Sequence, residues 1–305
     1  MEYVVTGGAG YIGGHMVDEL IGRGNVTAID DMSHGDYKNL KARFLKLDLR
    51  RSAALPIPKG ASIFHFAANA DVRTSDTDLM DHYGRDVTAT LNVMEAARRN
   101  DAKFVGFSSS SVVYGEPKKI PTPEDSPYAP ISNYGLFKVM GEEIVEYYAR
   151  TYGIRAVSFR FANITGGRAT HGIIYDFVEK LRRDPSRLEV LGDGKQKKSY
   201  VYIDDLMDAM LHLAKTSKKD YDAFNIGNDG WTQVSNITRF VCEGMGLKPR
   251  VFHLDRYGGR GWPGDVKLMR LDITKLKKTG WAPRVSSDAA VRRAVSDFLG
   301  HKGVR

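Results

Sequence analysis

VVTGGAGYIGGHMVDEL, residues 4–20, decides the fold. A β-branched run ends at Thr6, glycines follow at 7, 8, 10 and 13, and an amphipathic helical pattern starts at once. The spacing satisfies both G-x-x-G-x-x-G and G-x-G-x-x-G, and it falls between a strand and a helix, where it has meaning. Glycine is needed there because the turn is tight and the backbone must approach a pyrophosphate without an intervening Cβ. The helix N-terminus behind it offers N–H groups and partial positive charge to that anion.

Seventeen residues after Gly13, the next apolar run, VTAIDD, ends on Asp30. A carboxylate at that point can accept both hydroxyls of an adenosine ribose. Asp31 follows, and no arginine stands in the next few residues to receive a 2′-phosphate. The pair repels NADP, so the expected cofactor is NAD. Asp48, in FLKLDLR, is placed to meet the adenine amino group.

Strands are expected at Tyr3–Thr6, Val26–Ile29, Phe44–Leu47, Ser62–Phe66, Phe104–Ser108, Ala156–Phe161 and Phe224–Ile226. Their near-continuous hydrophobicity implies a sheet covered on both faces. Residues 87–100 and 134–151 carry apolar residues at helical spacing. The fold class that follows is α/β: a doubly wound, Rossmann-type parallel sheet. After Asn163 the pattern is broken by TGGRATHG, RRDPSR, LGDGKQKK and YGGRGWPGD. These loops imply a smaller, discontinuous C-terminal α/β substrate lobe at 166–202 and 231–305, with helices at Thr232–Met245 and Ser286–Leu299. Residues 1–165 and a return segment at about 203–230 then form the dinucleotide domain. A ligand is expected in the cleft beyond the carboxyl ends of the strands.

Composition excludes several classes. The 305 residues are 42% apolar and 27% charged, an ordinary globular balance. No apolar run is long enough to span a membrane, and the N-terminus enters a strand without a signal segment, so the cytoplasm is expected. Cys242 is the only cysteine, and the eight histidines are scattered. Neither a disulfide nor a metal site is expected. The formal charge of +8 is spread among acidic residues rather than massed in a stripe, which suits small phosphorylated substrates better than nucleic acid.

FSSSSVVYGE follows the fifth strand, and Tyr134 opens the next helix 24 residues after Ser110. Tyr134 and Lys138, at i and i+4, share one helix face. An adjacent ammonium favours the phenolate of a tyrosine that would otherwise titrate near 10. Ser110 can donate a hydrogen bond to the same substrate oxygen that Tyr134 deprotonates.

TGGAGYIGG, HFAANADVR, FSSSSVVYGE, YGLFK, RFANITG, GDG-Q and PGDV, in that order, resemble the extended short-chain dehydrogenases/reductases that modify nucleotide sugars. Among them the chain is most similar to UDP-glucose 4-epimerases, in particular archaeal ones, along essentially its whole length. The resemblance implies Ser110, Tyr134 and Lys138 as catalytic residues. Cofactor contacts would fall on Gly7, Gly10, Tyr11, Ile12, Gly13, Asp30, Asp31, Gly35, Asp48 and Leu49, and on Ala67, Ala68, Ser108, Tyr134, Lys138 and Phe161. UDP-sugar contacts would fall on Ser110, Ser111, Asn163, His171, Ile173, Glu189, Leu191, Lys198, Arg260 and Asp265. Three positions depart from the family pattern. Asp86 replaces an asparagine, Lys198 an arginine at the diphosphate, and Trp262 a second arginine, for which Arg260 can substitute. Met269 resembles the position whose bulk decides whether N-acetylated sugars fit.

Epimerisation at C4, 4,6-dehydration and decarboxylation all begin on this scaffold by oxidation at C4. Relatives that dehydrate or decarboxylate place acidic residues directly after the catalytic hydroxyl residue, whereas this chain has Ser111 and Val112. Epimerisation through a transient 4-keto sugar is the expectation, with another nucleotide-sugar activity (UDP-N-acetylglucosamine 4-epimerisation, dehydration or decarboxylation) or a non-catalytic NAD-sensing protein as the alternatives. The apolar surplus on helices Tyr83–Arg99 and Tyr134–Thr151 adds the expectation of a C2 homodimer.

Overall fold

β-Branched and aromatic residues in runs too apolar for one-sided burial assemble the central sheet. In the computed structural model, which describes residues 1–51, 54–69, 78–262 and 264–300, it has seven strands. They are β1 (Glu2–Thr6), β2 (Asn25–Asp30), β3 (Arg43–Lys46), β4 (Ser62–His65), β5 (Phe104–Ser110), β6 (Ala156–Phe161) and β7 (Tyr221–Ile226). Their order is β7-β6-β5-β4-β1-β2-β3. The pairing is parallel, with Val4 opposite Thr27 on one side and Ile63 on the other. β7 joins the sheet through N–H bonds from Ala156 to Asp220 O (2.7 Å) and from Ala162 to Ile226 O (2.9 Å). The order reverses between β1 and β4, the place where doubly wound sheets leave a ligand crevice.

Val4, Val5, Ile29, Ile63, Phe64, Val105, Val157 and Phe159 are buried, as a sheet covered on both faces requires. The edge strand β3 is the exception: its Arg43 and Lys46 are exposed and its middle is only half-buried. β5 runs two residues past the expected Ser108, because Ser109 and Ser110 pair with Arg160 and Phe161 of β6.

Helices α1 (Tyr11–Leu20), α2 (Leu79–Tyr83), α3 (Ala89–Arg99) and α4 (Asn133–Tyr152) accompany the sheet. α4 starts where the Ser132 hydroxyl accepts the Gly135 N–H at 3.1 Å and ends at Gly153, in left-handed conformation. The helix expected over Tyr83–Arg99 is not uniform. Gly84–Thr88 form a π turn between α2 and α3, where the Thr90 hydroxyl bonds the Asp86 carbonyl and competes with the backbone ladder.

The chain divides into two compact units. One comprises 1–115, 127–161 and 207–224; the other comprises 116–126, 162–206 and the chain from 225 onward. The second unit holds parallel pairs of Asn163–Thr165 with Tyr200–Tyr202 and of Arg187–Leu191 with Arg250–Leu254. Thr232–Gln233 pair with Lys197–Lys198, so the helix expected from Thr232 starts at Val234 and runs to Met245. Cys242 is half-buried there, and burial together with Glu243 pushes its thiol up, away from nucleophilic character. Among the described residues no helix is long and apolar enough to cross a membrane, and no cluster of His, Cys, Asp or Glu could hold a metal ion.

α4 is fixed to the sheet by charge as well as by packing. Arg160 on β6 and Glu142 on α4 are both buried. Arg160 Nε donates to Oε1 at 3.0 Å and Nη2 to Oε2 at 2.7 Å. Nη1 reaches the Tyr114 hydroxyl at 2.7 Å and Nη2 that of Tyr128 at 2.8 Å. Tyr128 and Ser109 complete the shell by donating to Glu142. Removing one partner strands a buried charge, so Arg160→Met should lower stability by about 3–5 kcal/mol. Adding Glu142→Leu should recover much of that loss. Urea unfolding of the single and double variants measures both.

Candidate active site

The glycine-rich turn is built by closer contact with its own neighbours at some positions than at others. Gly7 has φ +67°, and a Cβ there would come within 2.8 Å of Ala67 N, so the loops after β1 and β4 meet at the reversal point. A Cβ on Gly13 would sit 2.0 Å from Gly7 O, and one on Gly35 2.3 Å from Ala9 O. Gly10 differs. Its Cβ would meet Gly7 O at 3.3 Å, a tight approach but not the outright collision seen at Gly13, on the side where α1 begins without a side-chain cap. An uncapped helix N-terminus of this kind leaves backbone N–H groups that can receive an anion.

Asp30 stands beside this turn. Its Oδ2 accepts the Ala9 N–H at 3.0 Å and its Oδ1 that of Met32 at 2.8 Å. Each oxygen keeps a second lone pair for a ribose hydroxyl. Burial raises its carboxyl above the usual range. Asp31 is not bare, as its sequence neighbours implied: Arg85, 54 positions away, donates to it at 2.8 Å. Burial raises the Asp31 carboxyl, but Ser33 and Arg85 together leave it below its ordinary value. Asp48 is held by Arg50 at 2.8–3.1 Å, chiefly through side-chain hydrogen bonds that draw its carboxyl down to about 2.

The remaining expected cofactor residues fall into two groups. Tyr11 packs edge-on against His15 at 5.6 Å, and Ile12, Ala67 and Ala68 are half-buried along the turn and the end of β4. Leu49 and Phe161 have buried side chains; Leu49 belongs to the core and gives its carbonyl to Asn92 at 2.8 Å. In the stretch HFAANADVR, residues 70–73 lie outside the described residues, as does Pro263 of PGDV.

Ser110 ends β5 and its Oγ caps the short 3-10 turn Ser111–Tyr114. That turn lies on the first turn of α4: a Cβ on Gly135 would meet Val112 O at 3.0 Å. Lys138 is buried, donates from Nζ to Ser108 O at 2.9 Å, and lies 5.5 Å above the Tyr134 ring centre. Burial pushes the Tyr134 phenol up, and the Asp86 carboxylate adds to that. Burial pushes the Lys138 ammonium down, opposed by Asp86 and Glu142.

In the second unit, the expected diphosphate cations come together with acids. Lys198 Nζ bonds Asp265 Oδ1 at 2.5 Å and lies over the Trp262 ring at 5.2 Å. Arg260 donates to the Asp265 carbonyl at 2.5 Å and pairs with Glu116, a partner that no sequence spacing announced. Leu191 reaches this cluster, with Gly261 beside it. Glu189, on the same strand, is half-buried and bonded by Arg187 at 2.7 Å. Asn163 donates to Ser199 O at 3.3 Å, and Met269 is buried opposite Lys198. His171 is exposed, just ahead of the helix that Ile173 opens.

A dinucleotide turn and a Ser–Tyr–Lys set on one α/β unit define a class of NAD-linked enzymes. Residues 3–227 match the NAD dependent epimerase/dehydratase family, and the chain belongs to that family. It is 34% identical over 312 residues to the UDP-glucose 4-epimerase of Lactobacillus helveticus, covering 93% of this chain and 92% of that protein. The crystal structure of a UDP-galactose 4-epimerase superposes with a TM-score of 0.90 at 41% identity, covering 99% of this chain and 100% of the other. The UDP-glucose 4-epimerase of Thermotoga maritima with UDP-glucose gives 0.89 at 30% identity, covering 98% and 99%.

NAD fits these residues. Gly10 and the α1 N-terminus suit its pyrophosphate, and Asp30 suits its adenosine ribose. The two glycines should respond differently to alanine. Gly10→Ala should lower the melting temperature of the NAD-free protein only slightly yet weaken NAD binding at least tenfold. Gly13→Ala, which collides with Gly7 O, should lower both. Thermal unfolding and NAD titration of the two variants separate a ligand-facing glycine from a packing one.

Proposed function

We propose that this enzyme epimerises a UDP-hexose at C4, interconverting UDP-glucose and UDP-galactose with NAD as a resident cofactor. The observation that carries the reading is the Tyr134–Lys138 face of α4, anchored through Lys138 on Ser108 O, two residues from Ser110. When bound, NAD supplies a reversible hydride acceptor, so the chain's own task is to move the proton. Tyr134 takes the proton of the sugar 4-hydroxyl and later returns it. Ser110 orients that oxygen, and the Lys138 charge favours the phenolate against the burial that opposes it. Ser111, Val112 and Val113 follow Ser110 in the chain, so no acid directly succeeds it in sequence, where relatives that dehydrate or decarboxylate carry one. Lys198 and Arg260 are the cations for the diphosphate, whose oxygens would compete with Asp265 and Glu116 for them.

Tyr134→Phe removes the proton acceptor and keeps the ring. Turnover of UDP-glucose should fall by about 10²–10⁴-fold, with UDP binding largely kept. Epimers separated after incubation measure the rate. Native-like turnover by Tyr134→Phe would overturn the reading.

We also propose a C2 homodimer through α3 and α4. Leu91 on α3 is 44% exposed, and on α4 Leu136 and Tyr147 are 44% and 56% exposed, eleven residues or about three turns apart on one face. Light scattering at micromolar concentration should give twice the chain mass; a monomer would contradict it.

A further inference from the structure

One buried acid beside the proton-transfer pair has no part in the reaction as written above. Asp86 lies in the π turn Gly84–Thr88, which packs against α4. Such turns inside helices recur at functional sites. The residue is 3% exposed. Oδ1 accepts the Asn69 N–H at 3.2 Å, while Oδ2 has no hydrogen-bond partner among the described residues. A dry carboxylate oxygen without a donor is costly unless a nearby charge compensates it.

The compensating charge comes from α4. Lys138 and Tyr134 lie on that helix, against which the π turn packs, and each interacts electrostatically with Asp86. His82 Nδ1 stands 3.9 Å from Oδ2, and Arg85 and Asp81 act on it from its own helical segment. Glu142 on α4 and His65 on β4 are the other titratable groups that face Lys138. Burial, partly offset by Lys138, brings the Asp86 carboxyl up to about 6, so it is ionised at neutral pH.

We propose that Asp86 is a positioning residue for the proton-transfer pair: its carboxylate acts on Lys138 and Tyr134 together and sets the pH window in which they work. The inference rests on Tyr134 being the base. An ionised Asp86 helps Lys138 keep its proton, and it makes Tyr134 release its own less readily. Both effects move the window to higher pH than an asparagine would allow. Asp86→Asn keeps the shape and removes the charge. Both limbs of the rate profile should then move to lower pH: the rising limb as Tyr134 ionises earlier, the falling limb as Lys138 discharges earlier. A merely structural role would lower the rate equally at every pH.

The test compares pH–rate profiles of the native enzyme, Asp86→Asn and Asp86→Ser. It adds a phenolate absorbance titration of each, with Tyr134→Phe subtracted to isolate one tyrosine. Both uncharged variants should shift the rising limb and the Tyr134 titration by roughly one pH unit toward acid. Curves that superimpose on the native ones, or move toward alkali, would overturn the proposal. Full activity of Tyr134→Phe would instead remove the proposed base. The absorbance titration then still reports whether Asp86 and Tyr134 are coupled.

Discussion

The catalytic unit depends on a buried ion pair, Arg160 with Glu142, that ties a helix to a sheet. Taking two such ions out of water costs several kcal/mol each, and their attraction offsets this only when the remaining donors and acceptors are satisfied. Here they are. The guanidinium spans Glu142, Tyr114 and Tyr128, and the carboxylate also receives Tyr128 and Ser109. Glu142 lies one turn beyond Lys138, which lies one turn beyond Tyr134. Fixing Glu142 against β6 therefore fixes the azimuth of the whole reactive face of α4. Ser109, a neighbour of Ser110, is tied to the same carboxylate, so strand end and helix face share one anchor.

A second constraint acts at the other end of the unit, without charge. The turn after β1 closes only because Gly7, Gly13 and Gly35 let backbone meet backbone at distances no side chain permits. Gly10 meets only a tight approach to Gly7 O at 3.3 Å, so it is less strictly required by the backbone than the other three. Between them a polar relay runs from β1 to the π turn. Thr6 on β1 bonds His65 Nδ1 at 2.6 Å, His65 Nε2 bonds Thr90 at 3.0 Å, and Thr90 holds the Asp86 carbonyl. Burial, with Lys138 nearby, holds the His65 ring down to about 3, so this relay is neutral.

Much of this was legible in the chain. The strands, the glycine turn, and the placing of Asp30 beside that turn and of Tyr134 and Lys138 on one helix face follow from period, turn chemistry and i, i+4 geometry, all local signals. What escaped is non-local. Arg85 reaches Asp31 and Glu116 reaches Arg260 across distances that no periodicity encodes. Asp86 was visible as an unusual residue, but its burial was not, because a π turn leaves no hydrophobic signature. The half-exposed edge strand β3 escaped for a related reason: a run of apolar letters does not say which strand ends the sheet.

The reactive pair is therefore set by opposing forces rather than by one favourable contact. Burial disfavours charge on both Tyr134 and Lys138, holding the phenol protonated and loosening the ammonium. Carboxylates at Asp86 and Glu142 restore the lysine's charge, but Asp86 does so at Tyr134's expense. Lys138 escapes part of the cost by donating to Ser108 O, a neutral acceptor that satisfies the ammonium without adding negative charge near the phenol. A carbonyl in that place is thus preferable to a third carboxylate, which would raise the phenol further. The strand end that presents Ser110 also supplies this carbonyl, so one backbone segment both places the Ser110 hydroxyl and sustains the Lys138 cation beside Tyr134.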